Sequence, residues 1–281
     1  LWGYKPLVYS VIFLGFMSFV VWAHHMFLTG MGQTMSMFFA ITTMIISVPS
    51  VVILSCLLIS LWGGSIRFNT PMLFALSFLP MFGMGGVTGL PLGLPLSDIH
   101  LHDTYYVISH FHYVVAPGTI FAIFAGIYYW FPKVTGKKMN ETLGTIHWFF
   151  SFIFMNCIFA PMLIAGLAGM LRRGVDGGAT YAHNAHLFEY NEFMSWSAWL
   201  LGLAQIPFII NFVYSIVKSR KDKPDPNPWK ATTLEWTAAP SPPIAHGNFS
   251  ETPTVVRGPY EYSVPDEKDD YLPQNDIKEK K

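Results

Sequence analysis

The chain has 281 residues, 52% of them hydrophobic, and its 17 basic and 17 acidic side chains cancel to a formal charge of zero. That balance excludes a basic nucleic-acid binder, which needs a Lys/Arg excess, and two cysteines, Cys56 and Cys157, are too few for a secreted disulfide framework. The apolar content excludes wholesale disorder, yet charge is unevenly placed: residues 1–217 hold 13 of the 34 charged side chains and nine of the ten histidines.

A bilayer core of about 30 Å is crossed by about 20 mostly apolar helical residues. Six segments approach or exceed that length, at roughly 6–25, 37–62, 71–94, 105–131, 145–170 and 192–217. From Met26 to Ile66 there is no Asp, Glu, Lys or Arg at all, which the exposed side of two successive soluble helices does not tolerate. The pattern predicts an all-α polytopic membrane bundle of six transmembrane helices over residues 1–217, followed by an extended polar tail at 218–281. The first segment ends in His24-His25, about 100° apart if helical. Such a pair is either incidental at the interface or two nitrogen ligands suited to copper.

Ahead of the fourth segment lie His100 and His102-Asp103, outside the hydrocarbon stretch. A carboxylate and an imidazole there suit a hard divalent ion with water completing the shell, and capping of the next helix by Asp103 is an equal local account. Within the fourth segment, His110 and His112 are two positions apart, a rotation of about 200°. They point to opposite sides, so one metal does not take both, whereas two cofactors flanking the helix each take one. Imidazole is an axial ligand of heme iron, and Tyr105, Tyr106, Phe111, Tyr113, Ala116 and Gly118 suit large planar groups. The bland alternative is a pair of hydrogen-bonded core histidines. Ionisable or coordinating groups within a membrane helix mark function by default.

With the N-terminus inside, Lys5, Arg67, Lys133, Lys137, Lys138, Lys218, Arg220, Lys221 and Lys223 face the cytoplasm, against Arg172 and Arg173 outside. Both termini are therefore placed inside, and His24-His25 and the His110 region share the outer depth. The outward Arg172-Arg173 pair calls for an anionic partner or a lipid headgroup. The tail contains half of the prolines, as in Lys223-Pro-Asp-Pro-Asn-Pro. It reads as extended and inward-facing, with Trp229, Trp236 and Tyr260 as anchors onto a partner. The chain starts at Leu1 with no signal-peptide pattern, and reads as processed or as part of something longer.

The strings Val21-Trp-Ala-His-His-Met-Phe, Leu101-His-Asp-Thr-Tyr-Tyr-Val and His110-Phe-His-Tyr, followed by Arg172-Arg173, together resemble subunit I of the heme-copper cytochrome c oxidases. The likeness runs from the start to at least Val217, and Asn227-Pro-Trp, Thr233-Leu-Glu-Trp and Gly258-Pro-Tyr-Glu-Tyr look like bacterial members. The resemblance implies that His110 is the axial ligand of the oxygen-binding high-spin heme and His112 one of two axial ligands of the low-spin heme. It implies that His24 and His25 are two of three copper ligands, and that His102 and Asp103 hold magnesium or manganese at the boundary with subunit II. Arg172 and Arg173 would pair with heme propionates, with the acid Asp98 nearby.

The family subunit has twelve helices, and this chain resembles the last six. The other low-spin axial histidine, the third copper histidine and the acids of the main proton pathway have no counterpart here. Ile53 falls where the common oxidases place the lysine of a second proton pathway. The expectation is the C-terminal half of the catalytic subunit of a proton-translocating cytochrome c oxidase in the bacterial inner membrane. It would work with a companion chain carrying the first half, with subunits II and III, with two hemes of A type, and with cytochrome c and dioxygen as substrates. Nitric oxide reduction or quinol oxidation by a related protein, and a non-catalytic heme-retaining scaffold, are the alternatives.

Overall fold

A computed structural model describes residues 1–174, 176, 179–217, 225–244, 248–249, 251–259, 268 and 272–276. Lys218, Arg220, Lys221, Lys223 and Tyr260 lie outside the described residues. The fold is all-α and polytopic. Among the described residues there is no strand, and Thr104 and Leu171 form one isolated antiparallel bridge. Six helical stretches are long and apolar enough to cross a membrane: Tyr4–Thr29, Gln33–Leu61, Thr70–Leu92, Tyr105–Thr135, Glu141–Leu167 and Ala182–Val217. Number and order agree with the sequence reading.

The ends differ because the backbone stays coiled beyond the apolar run: in lipid every N–H and C=O needs an internal partner. The first span is α1 (Tyr4–Val20) followed by a 3-10 turn at Trp22–Thr29, and the last begins with a 3-10 turn at Ala182–Leu187. His24 and His25 therefore sit on 3-10 backbone, about 120° apart rather than 100°. The remaining helices are α2 (Gln33–Ile45), α3 (Ser47–Leu61), α4 (Thr70–Leu92), α5 (Pro95–Leu101), α6 (Tyr105–Val115), α7 (Ala122–Thr135), α8 (Glu141–Leu167), α9 (Phe188–Leu203), α10 (Ile206–Val217) and the short α11 (Leu234–Thr237). The predicted helix at 105–131 is interrupted by a π turn at Ala116–Phe121 holding Pro117, whose ring removes a backbone donor.

The chain divides into two compact units. One comprises Leu1–Ile66, Phe74–Ala122 and Trp148–Gln205. In it α1 packs along α3, and α2 and α5 both meet the 3-10 turn that carries His24 and His25. Close approach of α6 to α8 depends on glycine: a Cβ on Gly166 would lie 1.9 Å from the Tyr106 backbone nitrogen. Ser109 and Tyr113 of α6 then bond to the Phe159 carbonyl and to Asn156 of α8.

The other unit comprises Arg67–Leu73, Ile123–His147 and Ile206–Lys281. Here the tail packs on its own chain. Trp229 stacks on Tyr129 and donates its indole N–H to the Tyr129 carbonyl at 2.9 Å, while Trp236 stacks on Trp130. Arg67 donates to the Trp229 carbonyl, and Lys133 donates to the Ala239 carbonyl and sits over the Trp236 ring. Three cations that the charge rule assigns to the cytoplasmic face, Arg67, Lys133 and Lys138, thus each meet a carbonyl or a ring of the tail.

Candidate cofactor site

The histidines of interest all fall in the unit that begins at Leu1. On α6 the two rings leave toward different neighbours. His110 turns to α4, where its Nδ1 lies 2.9 Å from the Gly85 carbonyl oxygen. His112 turns to α8, stacking on Phe159 with ring centroids 4.3 Å apart, and its Nδ1 lies 2.8 Å from the Ile108 carbonyl oxygen. A carbonyl only accepts, so in both rings Nδ1 carries the proton and Nε2 carries the lone pair. That is the tautomer a metal ligand needs, held by the kind of outer hydrogen bond that orients ligating histidines. The α4 surface is shaped to admit the His110 ring: a Cβ on Gly89 would stand 2.7 Å from its Cε1. These features fit an axial ligand on each face of α6.

His24 and His25 converge despite the 3-10 backbone. Their Nε2 atoms are 3.0 Å apart, and His24 Nδ1 lies 3.0 Å from the Thr43 hydroxyl of α2. Two nitrogens bound at about 2.0 Å to one metal stand about 3 Å apart at angles near 100°, so the pair fits a shared ion. His24 lies within electrostatic range of His110, and His25 within range of His102 and Arg172. Among the described residues no group of three His, Cys, Asp or Glu side chains is placed to hold a metal ion. A site here takes further ligands from elsewhere.

The segment joining α5 to α6 and the residues that follow α8 bring Asp98, His102, Asp103 and Arg172 together. Arg172 meets Asp103 Oδ1 through Nε at 2.8 Å and through Nη2 at 2.7 Å, and its backbone N–H donates to the Asp103 carbonyl at 2.9 Å. The anionic partner that Arg172 calls for is therefore present within the chain. Arg173 is exposed. The capping role is taken by Thr104, whose hydroxyl accepts from Tyr106 N–H at 3.3 Å, which leaves Asp103 free of it. His102 lies between two carboxylates, with Nδ1 3.6 Å from Asp98 Oδ2 and Nε2 3.6 Å from Asp103 Oδ2. Burial pushes the Asp98 carboxyl up from the usual range, against the opposing pull of His102. Burial also raises Asp103, but the Arg172 hydrogen bond and charge outweigh it and hold that carboxyl low. Asp98 Oδ2 is buried without a hydrogen-bond partner. The Asp103 carboxylate oxygen facing the His102 imidazole nitrogen is a donor set that fits a divalent cation.

Gly85, Thr88, Gly89 and Thr43 were not singled out from the sequence. The available signal was the cluster Gly83, Gly85, Gly86, Gly89 in an apolar helix, a pattern of close helix approach. His147 was likewise passed over; it is fully buried, and its Nδ1 lies 3.2 Å from the Tyr128 hydroxyl in the unit that holds the tail.

Residues 1–200 match the family described as Cytochrome C and Quinol oxidase polypeptide I. The chain is 43% identical over 264 residues to cytochrome c oxidase subunit 1 of Synechocystis sp., covering 94% of this chain and 46% of that protein. It is 41% identical over 278 residues to the alternative cytochrome c oxidase subunit 1 of Bradyrhizobium diazoefficiens, covering 98% and 46%. The fold is similar to that of a chain in a heme-copper terminal oxidase dimer solved by cryo-EM, with a TM-score of 0.67 at 19% identity over 78% of this chain and 43% of that one. The chain spans about half the length of the curated relatives it matches.

Proposed function

The chain belongs to the cytochrome c and quinol oxidase polypeptide I family, the subunit I family of heme-copper oxidases, and on that premise we propose that it supplies the C-terminal half of an oxidase's catalytic subunit. The reaction is four-electron reduction of dioxygen to water with electrons from cytochrome c, coupled to proton translocation across the bacterial inner membrane, with both termini cytoplasmic. A companion segment carrying the first six helices completes the ligand sets, and subunits II and III complete the complex. The observation that carries this reading is the opposed pair on α6, with both Nδ1–H groups donating to backbone carbonyls and both Nε2 atoms left with a lone pair for a metal.

The bound groups, two hemes of A type and one copper, supply electron transfer and oxygen binding. This chain's residues position them. His110 ligates the high-spin heme, and Gly85 keeps the proton on its Nδ1. His112 ligates the low-spin heme, its plane set by Phe159 and the Ile108 carbonyl. His24 and His25 supply two copper ligands, with Thr43 orienting the first. His102 and Asp103 hold magnesium or manganese. Asp98, Arg172 and Arg173 would supply the polar groups that meet heme propionates, and the Arg172–Asp103 pair sets the place of the guanidinium. Ile53 is buried and aliphatic and relays no proton, so the second proton pathway of the common oxidases is either rebuilt here with other groups and water or absent.

The test is metal and heme analysis of the purified complex alongside oxygen uptake with reduced cytochrome c. The His24→Ala/His25→Ala double variant is expected to lose copper and oxygen uptake while retaining heme. Undiminished copper in that variant would refute the assignment. The family's name also covers quinol oxidases, and oxygen uptake driven by quinol but not by cytochrome c would move the chain to that branch.

A further inference from the structure

We propose that Thr88 is a positioning residue that weakens the hydrogen bond from His110 to Gly85 and so tunes how strongly His110 donates to its metal. The inference rests on the reading of His110 as a heme ligand. Thr88 lies on α4 one turn beyond Gly85 and is 7% exposed. Its hydroxyl stands 2.9 Å from the Gly85 carbonyl oxygen, 2.8 Å from the Met84 carbonyl oxygen and 3.3 Å from His110 Nδ1.

Back-bonding of a threonine to the carbonyls three and four residues earlier is ordinary in helices. What sets this one apart is the third neighbour. The single Thr88 hydroxyl proton is shared between the Met84 and Gly85 oxygens, and that Gly85 oxygen also accepts from His110 Nδ1 at 2.9 Å. Two donors on one carbonyl each obtain a weaker bond than one alone. An imidazole whose Nδ1–H is held more loosely is a poorer electron donor through Nε2, because the outer hydrogen bond raises ligand basicity. Gly89 shares the wall, and the bare Cα there keeps the ring against Gly85 and Thr88. The hydroxyl thus works on the ring nitrogen remote from the metal.

The experiment uses the complete, cofactor-loaded complex in its reduced form and reads the iron–histidine stretching band of the high-spin heme by resonance Raman. Thr88→Val, of nearly the same shape without the hydroxyl, is expected to shift the band to higher frequency, and Thr88→Ser is expected to keep the native position. Thr88→Ala should shift the band as Val does, so that either hydroxyl-free variant decides the matter if the other fails to assemble. A band that stays in place or moves down in the hydroxyl-free variants would overturn the proposal and leave Thr88 as helix back-bonding only. His110→Asn separates the two levels. Loss of the band or of the heme supports His110 as ligand, whereas a retained native band would overturn that reading whatever Thr88 does.

Discussion

Replacing Gly89 by alanine tests whether the His110 ring is seated where α4 leaves room for it. The added Cβ would stand 2.7 Å from His110 Cε1, whereas ordinary contact begins at 3.4 Å, so the ring must retreat by about 0.7 Å (3.4 minus 2.7). Taken along the line to Gly85, that retreat lengthens the 2.9 Å hydrogen bond to about 3.6 Å, past the range of a real bond. Overpacking of this kind costs about 1–3 kcal/mol and the lost bond about 0.5–1.5 kcal/mol. Better helix propensity returns at most about 1 kcal/mol, so the net loss is about 0.5–3.5 kcal/mol. Gly86→Ala is the internal control, because nothing lies within 4 Å of its Cβ, and it should be neutral or slightly stabilising. The assay is thermal unfolding of the purified complex together with the optical spectrum of the high-spin heme. If Gly89→Ala melts with Gly86→Ala and leaves the spectrum native, the ring is not held against Gly89.

Phe159→Ala removes the partner stacked on His112 at 4.3 Å; about 0.5–1.5 kcal/mol of ring contact goes with it beyond the lost area, and the low-spin heme band should broaden while the high-spin band stays sharp. Arg172→Met removes both contacts to Asp103, at a cost near 1 kcal/mol after solvent screening of this partly exposed pair. Because Arg172 holds the Asp103 carboxyl low, the stability it adds is present above the ordinary carboxylate range and is lost as pH falls through the lowered value. Melting curves of the native and variant complexes should therefore converge in acid, and a constant gap from neutral to acid pH would show that the pair is not electrostatic. Trp236→Ala deletes the ring packed between Trp130 and Lys133 and should cost about 3–5 kcal/mol in that unit. Lys133, 8% exposed, should then become reactive to amine-labelling reagents, read by mass spectrometry, and unchanged protection would contradict the packing.

Much of the architecture was legible in the order of the residues, because in lipid length and apolarity alone demand helices. Six apolar runs were bound to become six spans, and the 200° rotation between His110 and His112 follows from helix geometry once α6 is helical. The pairing of His24 with His25 was legible as chemistry though not as backbone: the segment is a 3-10 turn, and hydropathy does not distinguish one coil from another. In the tail, Trp229 and Trp236 were legible as anchors but not their target: they pack on Tyr129 and Trp130 of the same chain, beside Arg67, Lys133 and Lys138.

The remaining features arise between elements that are distant in sequence. The tautomers of His110 and His112 depend on which carbonyl each ring meets, and Gly85 is 25 positions from His110. Asp103 could have capped a helix or met a cation; Arg172, 69 positions away, takes one of its oxygens and leaves the other facing His102. Composition and periodicity alone establish a charge-poor, histidine-bearing bundle of six membrane helices with a polar tail, because solvent and periodicity act on each residue locally. Which hydrogen bond orients each imidazole was decided by helix contacts, because a ring nitrogen chooses its partner by distance in space.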